Sequence, residues 1–186
     1  MSVFAEESAW RWSDLLGYAA DHTLHLVIEL KPRRVQGGAP GIAKRWLHEV
    51  GQQRPDLYAL FITPEFMLLR LPSSRRRSTP HLVSFQPDTM QAQLLERLGG
   101  EIDYVVDSSA CLDAAIDTQR VPLYKLGPND LEQVVTSWLE SSLSVSDNEL
   151  LSRPTQAWLV ESGLHRILQH GAVVPPTNPA AYASAG

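Results

Sequence analysis

The sequence predicts an α/β protein with a central sheet flanked by helices, and three observations carry that prediction. Residues 24–30, Leu-His-Leu-Val-Ile-Glu-Leu, form an apolar run of strand length stopped by Lys31-Pro32. An amphipathic helical stripe follows, made by Ile42, Ala43, Trp46, Leu47 and Val50. Two further strand-like runs, 57–63 (LYALFIT) and 66–71 (FMLLRL), come next and are joined tightly at Pro64-Glu65. Strand and helix in alternation is the pattern of a sheet covered by helices.

Taken in order, residues 4–18 space Ala5, Ala9, Trp12, Leu15 and Leu16 at near-helical intervals, with Glu6, Glu7, Arg11 and Asp14 between them, and predict a first helix. The strand 24–30 follows, then a loop with Gly37, Gly38, Pro40 and Gly41, then the helix from Ile42 and the strand pair. Residues 72–80, PSSRRRSTP, combine Pro, Ser and three arginines without periodicity, which predicts an exposed mobile loop and a soft boundary. The second half reads as mostly helical. Helices are expected at 88–98, 108–118, 129–143 (opened by an Asn129 or Asp130 cap) and 154–170 (closed by Gly171). Short strands at 102–106 and 121–126 extend the sheet. The organisation expected is a core at 1–71, the Arg-rich loop at 72–80, a mostly helical extension completing the domain at 81–173, and a disordered tail at 174–186.

With 44% hydrophobic and 20% charged residues, the chain has the apolar content for a real core, so it is not of the disordered class. No apolar run approaches the roughly 20 residues that cross a bilayer. The N-terminus also lacks the basic flank, apolar stretch and small-residue cleavage site of a secretory leader, so a cytoplasmic protein is expected. Cys111 is the single cysteine, which excludes an internal disulfide and a Cys-rich zinc site; a small buried thiol is expected. The net charge of −5 conceals an asymmetry: residues 1–90 carry 11 Lys/Arg against 9 Asp/Glu, and residues 91–186 carry 5 against 12. The basic excess includes Arg33, Arg34, Lys44, Arg45, Arg75, Arg76 and Arg77, a candidate phosphate-facing surface whose bland alternative is a solvated face.

Alternation along a strand puts Glu29 and Lys31 on one side and Leu26, Ile28 and Leu30 on the other. A carboxylate and an ammonium in a buried strand cost stability unless paired or bound to a metal. Asp21 lies eight positions before Glu29, close enough for a bend to bring the two carboxylates together. Two carboxylates with open water positions suit Mg²⁺ or Mn²⁺ better than zinc. His22 and His25 bracket the same strand on opposite faces and read as ordinary histidines. No Gly-rich phosphate loop or nucleophile elbow is present, so nucleotide-binding and Ser- or Cys-hydrolase classes have no support.

Asp21 followed by Glu29-Leu30-Lys31 resembles the Asp … Glu-x-Lys motif of the PD-(D/E)xK nuclease superfamily, whose core is an α-β-β-β-α-β arrangement. The helix before Asp21, the strand ending in Glu-Leu-Lys, the helix from Ile42 and the strand from Leu57 follow that order. The segment LYALFITPEFMLLRL is similar to the strand pair in nuclease domains of type I restriction subunits. The resemblance covers about residues 1–71. It implies a restriction-endonuclease-like core, with Mg²⁺ (or Mn²⁺) held by Asp21, Glu29 and the Leu30 carbonyl. Lys31 would orient or polarise the attacking water, and Glu7, or less so Glu6, would be an additional acid. The function implied is hydrolysis of nucleic-acid phosphodiester bonds, DNA ahead of RNA. The alternative is an inactive module of the same fold that docks a protein partner through its acidic helical half.

Overall fold

The computed structural model describes residues 13–32, 39–84, 89–116 and 121–176. Its centre is a seven-stranded mixed sheet: β1 (Leu15–Tyr18), β2 (Leu24–Leu30), β3 (Tyr58–Ile62), β4 (Phe66–Arg70), β5 (His81–Val83), β6 (Tyr104–Asp107) and β7 (Ala172–Val174). Their order across the sheet is β5-β6-β4-β3-β2-β1-β7. Helix α1 (Ala39–Gln53) connects β2 to β3, the crossover that two parallel neighbours require, and β3 and β4 form a tight antiparallel pair. The remaining helices are α2 (Thr89–Leu98), α3 (Ser108–Ile116), α4 (Pro128–Leu143), α5 (Asp147–Leu151), α6 (Ala157–Glu161) and α7 (Leu164–Leu168).

The sheet separates two apolar layers. On one face Leu16, Val27, Ala59, Phe61 and Leu68 pack against Ala43, Trp46, Leu47 and Val50 of α1 and Leu98 of α2. On the other face Leu15, Leu26, Ile28, Leu60 and Leu69 meet α3, α4, α6 and α7 through Leu112, Val135, Trp158 and Leu164. Both faces of β2 are therefore covered, which is why the strand reads as a continuous apolar run. The molecule is α/β, with helices on both sides of a mixed sheet.

Strands β2, β3, β5 and β6 run in one direction. One rim of the sheet, the carboxyl rim, carries Leu30, Ile62 and Asp107; the other, the amino rim, carries the β1–β2 turn, the start of β3 and the end of β4.

Several elements differ from expectation. Residues 15–18 are a strand rather than the end of a helix; residues 1–12, which hold the rest of that predicted helix, lie outside the described residues. Residues 121–126 form a 3₁₀ turn at Leu123–Lys125 instead of a strand, since Pro122 has no N–H to give a ladder. The 154–170 helix is broken into α6 and α7 at Gly163, whose left-handed φ of 79° ends the first and begins the second. Helix α4 starts on Gly127-Pro128 with no side-chain cap, so neither Asn129 nor Asp130 plays that part. Strands β5 and β7 and helix α5 had no counterpart in the sequence reading, and residues 177–186 lie outside the described residues.

Candidate functional site

The site is built where the β1–β2 ladder ends at the carboxyl rim. Leu15 pairs with Ile28 and Leu16 with Val27. Asp14 follows at the end of that ladder, beside the Glu29–Leu30 end of β2 and near enough for its charge to act on Glu29. The Asp14 N–H still donates to the Ile28 carbonyl at 2.9 Å. Its carboxylate accepts the Leu30 N–H through Oδ2 at 2.6 Å and so takes the place of the next backbone partner. On the other side the Lys31 N–H donates to the Ile62 carbonyl at 2.8 Å, which fixes the backbone of the Glu-Leu-Lys segment against β3.

Glu29 shares the α1 face with Val27, while Leu26, Ile28 and Leu30 enter the opposite core. Only 8% of Glu29 is exposed. Its Oε1 accepts from the Lys31 ammonium, and its Oε2 is buried with no hydrogen-bond partner. Burial pushes the Glu29 carboxyl above its ordinary range; the Lys31 hydrogen bond and charge oppose the rise, and the nearby Asp14 carboxylate adds to it. A buried carboxylate with a vacant lone-pair set, beside a second carboxylate, is a strained electrostatic arrangement that a cation relieves.

The structure does not bring Asp21 to this place. Asp21 is exposed in the β1–β2 turn at the amino rim, where its carboxylate accepts the Thr23 N–H at 2.9 Å; that bond holds its carboxyl below the usual carboxylate range. The turn reverses the chain between Ala19 and Thr23, with His22 at a φ of 65°, so all of β2 separates Asp21 from Glu29. Glu7, Glu6, Arg33 and Arg34 lie outside the described residues. Lys44 and Arg45 are exposed on the first turns of α1. The far end of that helix, at Gly51, packs on Arg70 at the amino rim, so its beginning points to the carboxyl rim.

Arg75, Arg76 and Arg77 are at the amino rim, away from Glu29; Arg75 and Arg77 are exposed, as expected of this segment, and all three also make contacts with the surrounding chain. Buried Asp103 organises the segment: it accepts from Leu71 N at 2.8 Å, Arg76 Nε at 2.7 Å and Arg77 N at 2.6 Å. Arg76 also donates to the Gly100 carbonyl, and the Arg77 guanidinium lies 5.2 Å from the Tyr104 ring centroid. Arg75 reaches the Tyr58 hydroxyl at 3.5 Å and the Ser162 carbonyl at 3.4 Å. These arginines join chain segments together instead of presenting charge to a ligand at Glu29.

No family model, curated protein or solved structure matches the chain. The chemistry therefore rests on the residues themselves. Among the described residues, no group of three or more His, Cys, Asp and Glu is placed to hold a metal ion, and no helix is long and apolar enough to cross a membrane. Asp14 and Glu29 make a pair of carboxylates, and the Leu30 carbonyl leaves β2 on the same side as the N–H that Asp14 accepts. That donor set is all oxygen, the type that hard divalent cations take with waters completing the shell. The unpartnered Glu29 Oε2 leaves one buried oxygen of that set open.

Asp14 was not among the residues that the sequence singled out, and the available signal was the hairpin itself, which returns the end of β2 to the residues just before β1. Cys111 is buried, as expected for a small core thiol, and burial pushes it up to about 12. Trp46, Trp138 and Trp158 are core residues, with Trp138 and Trp158 stacked at 6.0 Å; Trp10 and Trp12 lie outside the described residues.

Proposed function

We propose that the chain is a divalent-metal-dependent nuclease with a restriction-endonuclease-like core, acting on DNA ahead of RNA. The single observation that carries this reading is buried Glu29, whose Oε2 lacks a partner, set between the Asp14 carboxylate on the Leu30 N–H and the Lys31 ammonium on its own Oε1. The succession β1, β2, α1, β3 also follows the β-β-α-β stretch expected of that core. In this reading the acid that completes the Glu-x-Lys strand is Asp14, and Asp21 is a turn residue.

Asp14, Glu29 and the Leu30 carbonyl would hold Mg²⁺ or Mn²⁺. When bound, the ion supplies Lewis-acid stabilisation of the charge that develops on a phosphoryl oxygen. The chain's own contribution is placement. The short ladder between β1 and β2 fixes the two carboxylates, and the α1 layer removes water from Glu29 so that its charge is poorly screened. Lys31, with its backbone pinned to β3 and its side chain 32% exposed, is positioned to donate a hydrogen bond to an attacking water and orient it. Lys44 and Arg45, exposed on the same rim, would meet flanking backbone phosphates without reading sequence.

The test is cleavage of supercoiled plasmid and single-stranded DNA in Mg²⁺ and then Mn²⁺, with wild type beside Asp14→Asn, Glu29→Ala and Lys31→Ala. Cutting by wild type alone supports the reading. Equal cutting by all four is contamination and counts against it. No cutting, together with no change in melting temperature on adding either ion, refutes the nuclease and favours the inactive docking module, for which the exposed Asp130, Glu140, Asp147, Glu149 and Glu161 of the helical layer are the acidic face.

A further inference from the structure

Glu29 has one oxygen taken and one free. The Lys31 ammonium holds Oε1, Oε2 is buried without a partner, and the Asp14 carboxylate is close by on the Leu30 N–H. Two carboxylates against one ammonium leave the cluster with a net negative charge in this state. The Lys31 backbone is tied to Ile62 on β3, while its side chain is partly exposed on a flexible four-carbon stem. The ammonium is therefore free to leave Glu29 for solvent without disturbing the strand.

From this we infer that Lys31 is the resident counter-cation of Glu29, which an incoming divalent ion must displace, so that loading the site also releases the lysine ammonium towards the substrate side. The inference rests on the reading of Asp14 and Glu29 as cation ligands and adds a regulatory consequence to it. Lys31 and the divalent ion compete for the same carboxylate, so the wild-type site binds the ion more weakly than its two acids alone would. In exchange, the apo protein does not carry an uncompensated buried charge. A lysine acting only on water makes the opposite forecast: its removal would leave ion affinity unchanged and lower turnover alone.

The experiment is calorimetric titration of Mn²⁺, and of Mg²⁺, into the full chain with no nucleic acid present, paired with melting curves in EDTA and in saturating Mn²⁺. Lys31→Met is expected to bind Mn²⁺ on the order of tenfold more tightly than wild type, the effect of removing one nearby unit charge carried by a partly exposed side chain. The same variant melts lower than wild type in EDTA, and Mn²⁺ removes the deficit. Lys31→Arg, which keeps the charge, binds Mn²⁺ no more tightly than wild type, and Glu29→Gln loses binding. Lys31→Gln, with a polar end that still reaches Glu29, serves if Lys31→Met does not fold. If wild type binds Mn²⁺ and the neutral lysine variants bind it equally or more weakly, the counter-cation inference is overturned while the ion site stands. If neither wild type nor any lysine variant binds Mn²⁺ or Mg²⁺, the ion site itself is wrong and the inference falls with it.

Discussion

Asp14→Asn and Asp21→Asn, compared in one titration, separate the acid that the fold places at the site from the acid that sequence spacing points to. Asp14 lies at the end of the β1–β2 ladder, where its carboxylate accepts the Leu30 N–H beside Glu29, so removing its charge takes away one of two formal negative charges at the site. At a separation of roughly 4 Å and an effective dielectric of about 20, such a charge interacts with a unit cation by about 4 kcal/mol. Screening and relaxation reduce that ceiling to ~2 kcal/mol, or about 30-fold in dissociation constant. Asp21 lies beyond Thr23, six strand steps from Glu29, a distance of about 20 Å at 3.3 Å per residue. That is more than two Debye lengths at physiological salt, so Asp21→Asn leaves ion binding unchanged. Neither substitution should unfold the chain. In Asp14→Asn the new amide oxygen still accepts the Leu30 N–H at a loss of about 1 kcal/mol, and in Asp21→Asn the side chain still accepts the Thr23 N–H. Calorimetric Mn²⁺ titration, with urea denaturation in EDTA as the control for folding, measures both quantities. A tenfold or larger loss of affinity in Asp21→Asn, with Asp14→Asn unaffected, would refute the assignment of Asp14 to the site.

Asp103→Asn replaces one of two fully engaged carboxylate oxygens by an NH₂ that faces N–H donors, so a loss of about 3–5 kcal/mol in urea denaturation is expected, and trypsin should begin to cut at Arg75–Arg77 under native conditions. Gly51→Ala gains helix propensity of about 1 kcal/mol, but its methyl group would overlap the Arg70 guanidinium, which Glu101 holds at 2.6 Å; a net destabilisation of ~1–2 kcal/mol follows, again read by urea denaturation. The Cys111 thiol, raised to about 12 from 9.0 by burial, should react with a thiol-specific disulfide reagent at pH 8 about a thousandfold more slowly in the native protein than in urea. The sign of its linkage is fixed as well: above pH ~9 the unfolded chain has lost a proton that the native state retains, so the urea midpoint falls as pH rises from about 9 towards 12.

The legible parts of the fold are those with enough residues to show a period. β2, α1 and the β3–β4 pair each combine suitable length with apolar patterning, and all appear at the expected places. β1 has four residues, Leu-Leu-Gly-Tyr, and β5 and β7 have three each, too few to show alternation; their pairing is decided by neighbours distant in sequence. The 154–170 stretch reads as one helix because apolar spacing continues across Gly163, and only the left-handed backbone there reveals the break. The contacts of the Arg-rich segment are hidden for another reason. Composition registers its arginines as charge, whereas their partners Asp103, Gly100 and Ser162 are 24 to 87 positions away and become visible only when β4 and β6 pair.

The site was half legible for the same physical reason. Glu29 and Lys31 stand out because they are charged within an apolar strand, a local signal. The partner of Glu29 is set by a non-local rule. In an antiparallel hairpin, residues equidistant from the turn face each other, so an acid inside the turn, as Asp21 is, lies as far from the strand end as the hairpin allows. An acid just before the first strand, as Asp14 is, arrives beside that end. Asp14 has a second effect that follows from its position: by accepting the Leu30 N–H with its side chain, it replaces the next backbone rung and the ladder stops at Leu15. The residue that ends the strand pair is thus also the one that sets a second carboxylate beside Glu29. Asp14→Leu would remove both effects together, whereas Asp14→Asn keeps the hydrogen bond and removes only the charge; the difference in ion affinity and apo stability between these two variants separates the structural share of Asp14 from its electrostatic share.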